Sequence, residues 1–270
     1  MRLWAVAALP LLWLAARLRT PALRRRDVVG LLMVAFVIQA APYAAIAYRS
    51  YDERASAQLA FWRPAISFVR SHADAGHRVE AVATAGHWEA YYLAHAGVPL
   101  ARGWYRQADF PENTLLYQSS ISPSAYQAWL RSLGVTFVLL PDTPLDYSSG
   151  AEAALLRSGR SGLELAGTAP HWRFYRLPQS VGIVSGASSA PEGVRVTSAS
   201  VSFVAPRAGR YLIRVRYSPY WRSSRAACLS PSPGGMMRLD VRTAGPISLT
   251  MPDTLDAIFG GTPAATACGN

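Results

Sequence analysis

SPSAYQAWLRSLGVTFVLLP, residues 122 to 141, holds a helix and a strand in one short stretch, and the order of the two decides the fold. Tyr126, Trp129, Leu130 and Leu133 recur at helical spacing, which gives one apolar face. Ser122 or Ser124 can supply the N-cap oxygen, Pro123 suits a first turn where no amide hydrogen is needed, and Gly134 is a stop signal. VTFVLLP follows at once as a strand. Its neighbours repeat the alternation. SAQLAFWRPAISFVRSHA (56–73) predicts an amphipathic helix broken or begun near Pro64, and RVEAVAT (78–84) a buried strand. SGAEAALLRSG (149–159) gives a short helix, then LELAGTA and HWRFYRLP give two strands around a turn at Ala169 and Pro170. Such alternation predicts an α/β domain over 49–179 with a mostly parallel sheet.

Beyond SGASSAPEG (185–193) the character changes to short strands only. SVSFVAP alternates by two, PRAGR supplies a tight turn, and YLIRVRYSPYW reads as the second strand of the same hairpin. MMRLDVR and PISLTM repeat the motif, so residues 180–270 predict a small, jelly-roll-like all-β sandwich. Cys228 and Cys268 both fall in it, and an exported compartment would permit a disulfide between them, two buried thiols being the other reading.

The amino-terminal part, 1–48, reads as two transmembrane helices. Leu3 to Ala16 is an apolar run of about 21 Å as a helix, short of a bilayer core of about 30 Å. Val28 to Tyr48 carries no charge and reaches about 31 Å. Between them RLRTPALRRRD is rich in Arg, which places that loop in the cytoplasm and residues 49–270 outside it. A cleaved signal peptide is a poorer fit to residues 1–16, because most of the positive charge follows the apolar run.

The 270 residues are half apolar and only 16% charged, below the share of about 25% in soluble domains. All 27 basic residues are Arg, which a coding bias explains, and of the formal charge of +11 the first 48 residues hold +5, six Arg against one Asp. The remainder is dispersed, without the basic clusters a nucleic-acid partner needs.

HWEAYYLAHAGVPLARGWYRQ (87–107) concentrates polar aromatic chemistry. Ring faces cover the apolar side of a sugar while charged groups hold its hydroxyls. His87, Trp88, Glu89, Tyr92, Arg102, Trp104, Tyr105 and Arg106 are therefore candidate glycan-binding residues, with Tyr91 and Gln107 beside them; core packing or membrane-interface anchoring is the plainer reading. His87 and Glu89 would share one face on a strand and would not on a helix, so His-x-Glu alone signals neither a metal site nor an acid/base pair. Asp142 and Asp146 follow the strand at its carboxyl end, where α/β sheets bind ligands, though a turn cap explains them as well. The chain lacks HExxH, GxSxG, P-loop and GxGxxG patterns, and neither catalytic residues nor a cofactor or metal is predicted.

The order of these segments, from the two helices through AYQAWLRSLGVTFVLLPDTPLDYS and HWRFYRLP to RYLIRVRYSPYW, resembles the carboxyl-terminal part of bacterial polytopic membrane proteins of the GT-C glycosyltransferase type. The resemblance implies sugar transfer from polyprenyl-phosphate donors outside the membrane, by an acidic residue in an early loop that this sequence lacks. It places Glu89, Trp104 and Arg106 in an exported accessory region that holds acceptor glycan or seals the site. The expected partners are membrane lipid and an envelope glycan or polyprenyl-linked sugar. The alternatives are a self-sufficient membrane-anchored glycan-binding or structural envelope protein and, last, an exported hydrolase using His87, Glu89 or the Asp pair.

Overall fold

The structure, a computed structural model, describes residues 25–103, 110, 112–187, 189–225 and 227–251. The chain up to Gln58 and the chain from Leu59 form two compact units. In the first, helix α1 (Arg25–Glu53) runs for 29 residues through Pro42. Among its described side chains Val29, Met33, Phe36 and Ile38 are each more than half exposed. Among the described residues no helix is long and apolar enough to cross a membrane; the first predicted span, Leu3 to Ala16, and several side chains of α1 lie outside them.

The second unit begins with α2 (Leu59–His72), which starts ahead of Pro64 and continues through it. Strand β1 (Arg78–Ala81), helix α3 (Glu89–His95), helix α4 (Pro123–Leu133), strand β2 (Val135–Pro141), helix α5 (Gly150–Arg157) and strands β3 (Glu164–Ala169) and β4 (Trp172–Arg176) follow. They build a three-layer α/β body. β2 alternates its buried side chains between two cores: Phe137 and Leu139 meet α2 residues Phe61, Trp62 and Val69, whereas Val138 and Leu140 meet Tyr126, Leu130 and Leu156 of α4 and α5. A strand covered on both faces has no polar side to show, which explains the unbroken run VTFVLL.

The sheet order is β1-β2-β4-β3. Only β1 and β2 are parallel; β2 with β4 and β3 with β4 are antiparallel. This corrects the expected mostly parallel sheet. A parallel neighbour needs a long crossover, present between β1 and β2, whereas β3 and β4 are joined by a two-residue turn that permits only antiparallel pairing; His171 takes φ +67° there.

The all-β part holds β5 (Val184–Gly186), β6 (Glu192–Val196), β7 (Ser200–Ala205), β8 (Gly209–Arg216), β9 (Arg222–Ser223), β10 (Ala227–Pro231), β11 (Met236–Val241) and β12 (Gly245–Thr250). They form two four-stranded sheets, β10-β11-β8-β5 and β6-β7-β12-β9, with antiparallel pairing throughout. Val201, Phe203, Tyr211, Ile213, Leu239 and Leu249 fill the space between them, as in a sandwich. β7 and β8 are not one hairpin as expected: they lie in opposite sheets, and so do β11 and β12. A pair of alternating strands buries its apolar stripe equally well across a sandwich core as beside its neighbour, so the period of two cannot distinguish the cases.

The two parts are stitched by backbone. Ile183 donates to Gly76 O at 2.7 Å and Arg214 to Ile183 O at 2.7 Å. Gly134 ends α4 in the left-handed conformation at φ +74°, and a side chain there would meet the backbone of Gly182 and Ile183 at 3.0 Å. Its hydrogen atom is what lets the two segments touch.

Candidate functional site

After β1 the chain stays extended to Thr84, which bridges to Leu145 in the loop after β2. Asp146 N–H donates to Ala83 O and Ala85 N–H to Pro144 O, both at 2.9 Å. At the turn that follows, His87 adopts φ +54°, and this swings its ring between two carboxylates. Nδ1 lies 3.3 Å from Glu89 Oε1 and Nε2 lies 3.4 Å from Asp146 Oδ1. The other carboxylate oxygens are also engaged: Glu89 Oε2 accepts from Thr84 N–H at 3.1 Å and its hydroxyl at 2.7 Å, and Asp146 Oδ2 accepts from Ser148 N–H at 2.9 Å and its hydroxyl at 2.6 Å. The cluster thus stands beyond the carboxyl ends of the parallel strands, the usual ligand position. Its chemistry is that of a clasp. A general base needs a ring nitrogen turned toward substrate, and both nitrogens of His87 face carboxylates of the protein. His87 and Glu89 meet through a left-handed turn, neither of the two regular geometries considered from sequence.

Arg102 is held elsewhere. Its Nε donates to Glu80 Oε1 at 2.8 Å and its Nη2 to Glu152 Oε2 at 3.2 Å, while Tyr126 donates its hydroxyl to Glu152 Oε1 at 2.6 Å. Glu80, Glu152 and Tyr126 are at most 1% exposed. Burial, followed by the charges of Glu152 and Glu80, raises the Tyr126 hydroxyl well above its ordinary pKa. This network joins β1, α4 and α5; the sequence reading named Arg102 as a site candidate and Tyr126 only as part of an apolar helix face, and it passed over Glu80 and Glu152. The available signal was Glu80 inside the otherwise apolar stretch 79–83, since a charge there requires a buried partner.

The aromatic cluster divides by exposure. Trp88 and Tyr92 pack on the core beside Trp62, Tyr92 and Trp62 being stacked at 6.0 Å. Tyr91 is 54% exposed and stacks on His95 at 5.3 Å. It borders a groove of about 690 Å³ between α2 and α3, walled by Leu59, Arg63, Arg70, Tyr91, Tyr92 and His95. Among the described residues no acidic one lines it. Two turns of α2 separate Arg63 from Arg70, seven positions on, and leave them on one face.

Asp142 and Asp146 are not brought to one site. Asp142 lines a small cleft with Arg157, His171 and Arg173, and Asp146 caps the turn Tyr147–Ser149 besides facing His87. Trp104, Tyr105, Arg106 and Gln107 lie outside the described residues, as does Cys268, while Cys228 is on β10. Among the described residues no group of His, Cys, Asp and Glu is arranged to hold a metal ion. Comparison with protein-family models, curated proteins and solved structures finds no match.

Proposed function

We propose that the chain is a membrane-anchored, extracytoplasmic glycan-binding protein that positions sugar without supplying catalytic groups, as the accessory part of a GT-C-type system. The groove between α2 and α3 carries the reading. It joins a solvent-facing ring, Tyr91, to the donors Arg63, Arg70 and His95 and the hydroxyls of Ser67 and Ser71, the combination that holds a sugar by its apolar face and its hydroxyls. Anchoring rests on the sequence: Val28 to Tyr48 is uncharged, α1 is helical through it, and the Arg-rich loop precedes it. Within this reading Glu89, held by Thr84, fixes the start of α3, Arg102 has a structural role away from the groove, and the resemblance to GT-C proteins supports transfer from a polyprenyl-phosphate donor by another part of the system.

The test is calorimetric titration of the full chain in detergent with neutral and acidic envelope oligosaccharides. Tyr91→Ala weakens binding by about 10-fold, the loss of one stacking contact in a ligand site, with the melting temperature unchanged. A folded wild type that binds none of the panel, or a Tyr91→Ala protein that binds as well as wild type, removes the reading.

The export that this topology implies also supports a Cys228–Cys268 disulfide. Closing a loop of about 40 residues would contribute about 4 kcal/mol, so dithiothreitol is expected to lower the denaturation midpoint. Intact-mass measurement after alkylation without reduction shows two unmodified cysteines if the bridge forms and two adducts if it does not.

A further inference from the structure

Where α4 meets β8, the structure gathers guanidinium groups that carboxylates do not neutralise. Arg78, at the start of β1, donates from Nη1 to the carbonyls of Leu133 and Arg214. Arg214, on β8, donates from Nε to Arg131 O at 3.1 Å and from Nη1 to Gly182 O and Ser185 Oγ, each at 2.9 Å. Carbonyls and a hydroxyl orient a cation but leave its charge in place. Neither arginine pairs with a carboxylate among the described residues. Arg216 follows two residues on, past a register shift of β8 against β11, and lines the same cleft; it pairs with Glu112, both side chains being about half exposed.

These three arginines wall a cleft of about 300 Å³, shared with Arg102, Asn113 and Leu133. Arg102 is already matched by Glu80 and Glu152. The cleft opens along Leu133, Arg214, Arg216 and Met236 into a wider groove of about 690 Å³, where Trp129, Arg210 and Arg238 are added. Clasping the two parts together would explain the carbonyl bonds of Arg78 and Arg214. It does not explain an open cleft above them, since like charges at a closed seam only repel. Burial first, and the neighbouring charge of Arg214 second, lower the Arg78 guanidinium to about 10.

We propose that this cleft binds a small ligand through an oxyanion, a phosphate monoester or a carboxylate, held by Arg78, Arg214 and Arg216, with the rest of the ligand lying over Trp129 and Met236. Planar guanidinium groups match both oxyanions in geometry. Glu112 acts as a gate of charge: it competes for Arg216 and yields when a more strongly held anion enters. The proposal stands apart from the α2–α3 groove and does not depend on glycan binding there.

The experiment is calorimetric titration of the full chain in detergent, at constant ionic strength, with inorganic phosphate, glucose 1-phosphate, glucuronate and glucose. Saturable binding of at least one anionic probe, with none of glucose, is expected. Binding of glucose 1-phosphate and phosphate alone identifies a phosphate source, and binding of glucuronate alone a carboxylate source. Two exposed positions then read out in opposite directions. Arg216→Gln weakens binding by about 10-fold, the size of one charge-assisted hydrogen bond, and Glu112→Gln strengthens it by about 3-fold or more as a competing charge disappears. Tyr91→Ala leaves it unchanged. A folded wild type without saturable anion binding, equal affinities in the Arg216 and Glu112 variants, or loss of binding in Tyr91→Ala overturns the proposal.

Discussion

His87 holds a backbone conformation that ordinary residues avoid, φ +54°, at a cost of about 1–2 kcal/mol for a residue with a side chain. What sustains it is the ring, which bridges Glu89 and Asp146 and so ties the loop after β1 to the loop after β2. The two contributions separate by substitution. His87→Ala discards the bridge and keeps the strained backbone, so a loss of about 1–2 kcal/mol is expected; the ring is a quarter exposed, and solvent limits the value of each contact. His87→Gly discards the bridge and relieves the strain, so it falls short of wild type by about 1 kcal/mol less than His87→Ala. Urea denaturation of the two variants checks the order. If the Gly variant is the less stable, strain at His87 is not what the ring offsets.

At the scale of elements, the Arg102 network decides how β1, α4 and α5 are spaced. Removing one partner of a buried ion cluster leaves charge stranded, so Arg102→Ala is expected to cost about 3–5 kcal/mol. Tyr126→Phe removes one hydroxyl donor from a buried carboxylate and costs about 1–3 kcal/mol. Denaturant midpoints that scarcely move in either variant would show that Glu80 and Glu152 find other partners. The elements themselves were open to reading because their signals are local. Of the two candidate caps for α4, Ser122 does the work, its hydroxyl accepting from Ala125 N–H at 3.2 Å, and Gly134 takes the left-handed stop. The exposed Tyr91 and the partly buried Tyr92 stand side by side in YY, and only the packing of α3 on Trp62 tells them apart. Strand partners were closed to reading for a different reason: β7 and β8 alternate correctly for a hairpin, and the choice of opposite sheets belongs to contacts far away in sequence. Glu80 and Glu152 likewise make sense only once Arg102, more than 20 residues from either, arrives between them.

For the molecule from Leu59 onward, the seam between the α/β body and the sandwich is where acid should act. His77 precedes β1 at this seam, its neighbour Gly76 accepting the Ile183 amide. Its Nδ1 is buried without a hydrogen-bond partner among the described residues. Burial pushes the imidazole below its ordinary pKa, with the charge of Asp74 opposing only in part. Folded protein therefore takes up this proton at lower pH than unfolded protein does. Between the two pKa values the unfolded chain holds more protons, so stability falls as pH drops below about 6.5, the ordinary histidine value, and the loss is complete below the folded value. A proton on His77 would also add positive charge beside Arg78 and Arg214, which carbonyls and the Ser185 hydroxyl restrain. His77→Leu removes the titration while keeping the seam filled. Measured from pH 7.5 to pH 5, wild type is expected to lose stability faster than His77→Leu, the difference opening as pH passes 6.5. Parallel curves for the two proteins would mean that His77 protonates alike in the folded and unfolded chains, and that the acid response comes from carboxylates elsewhere.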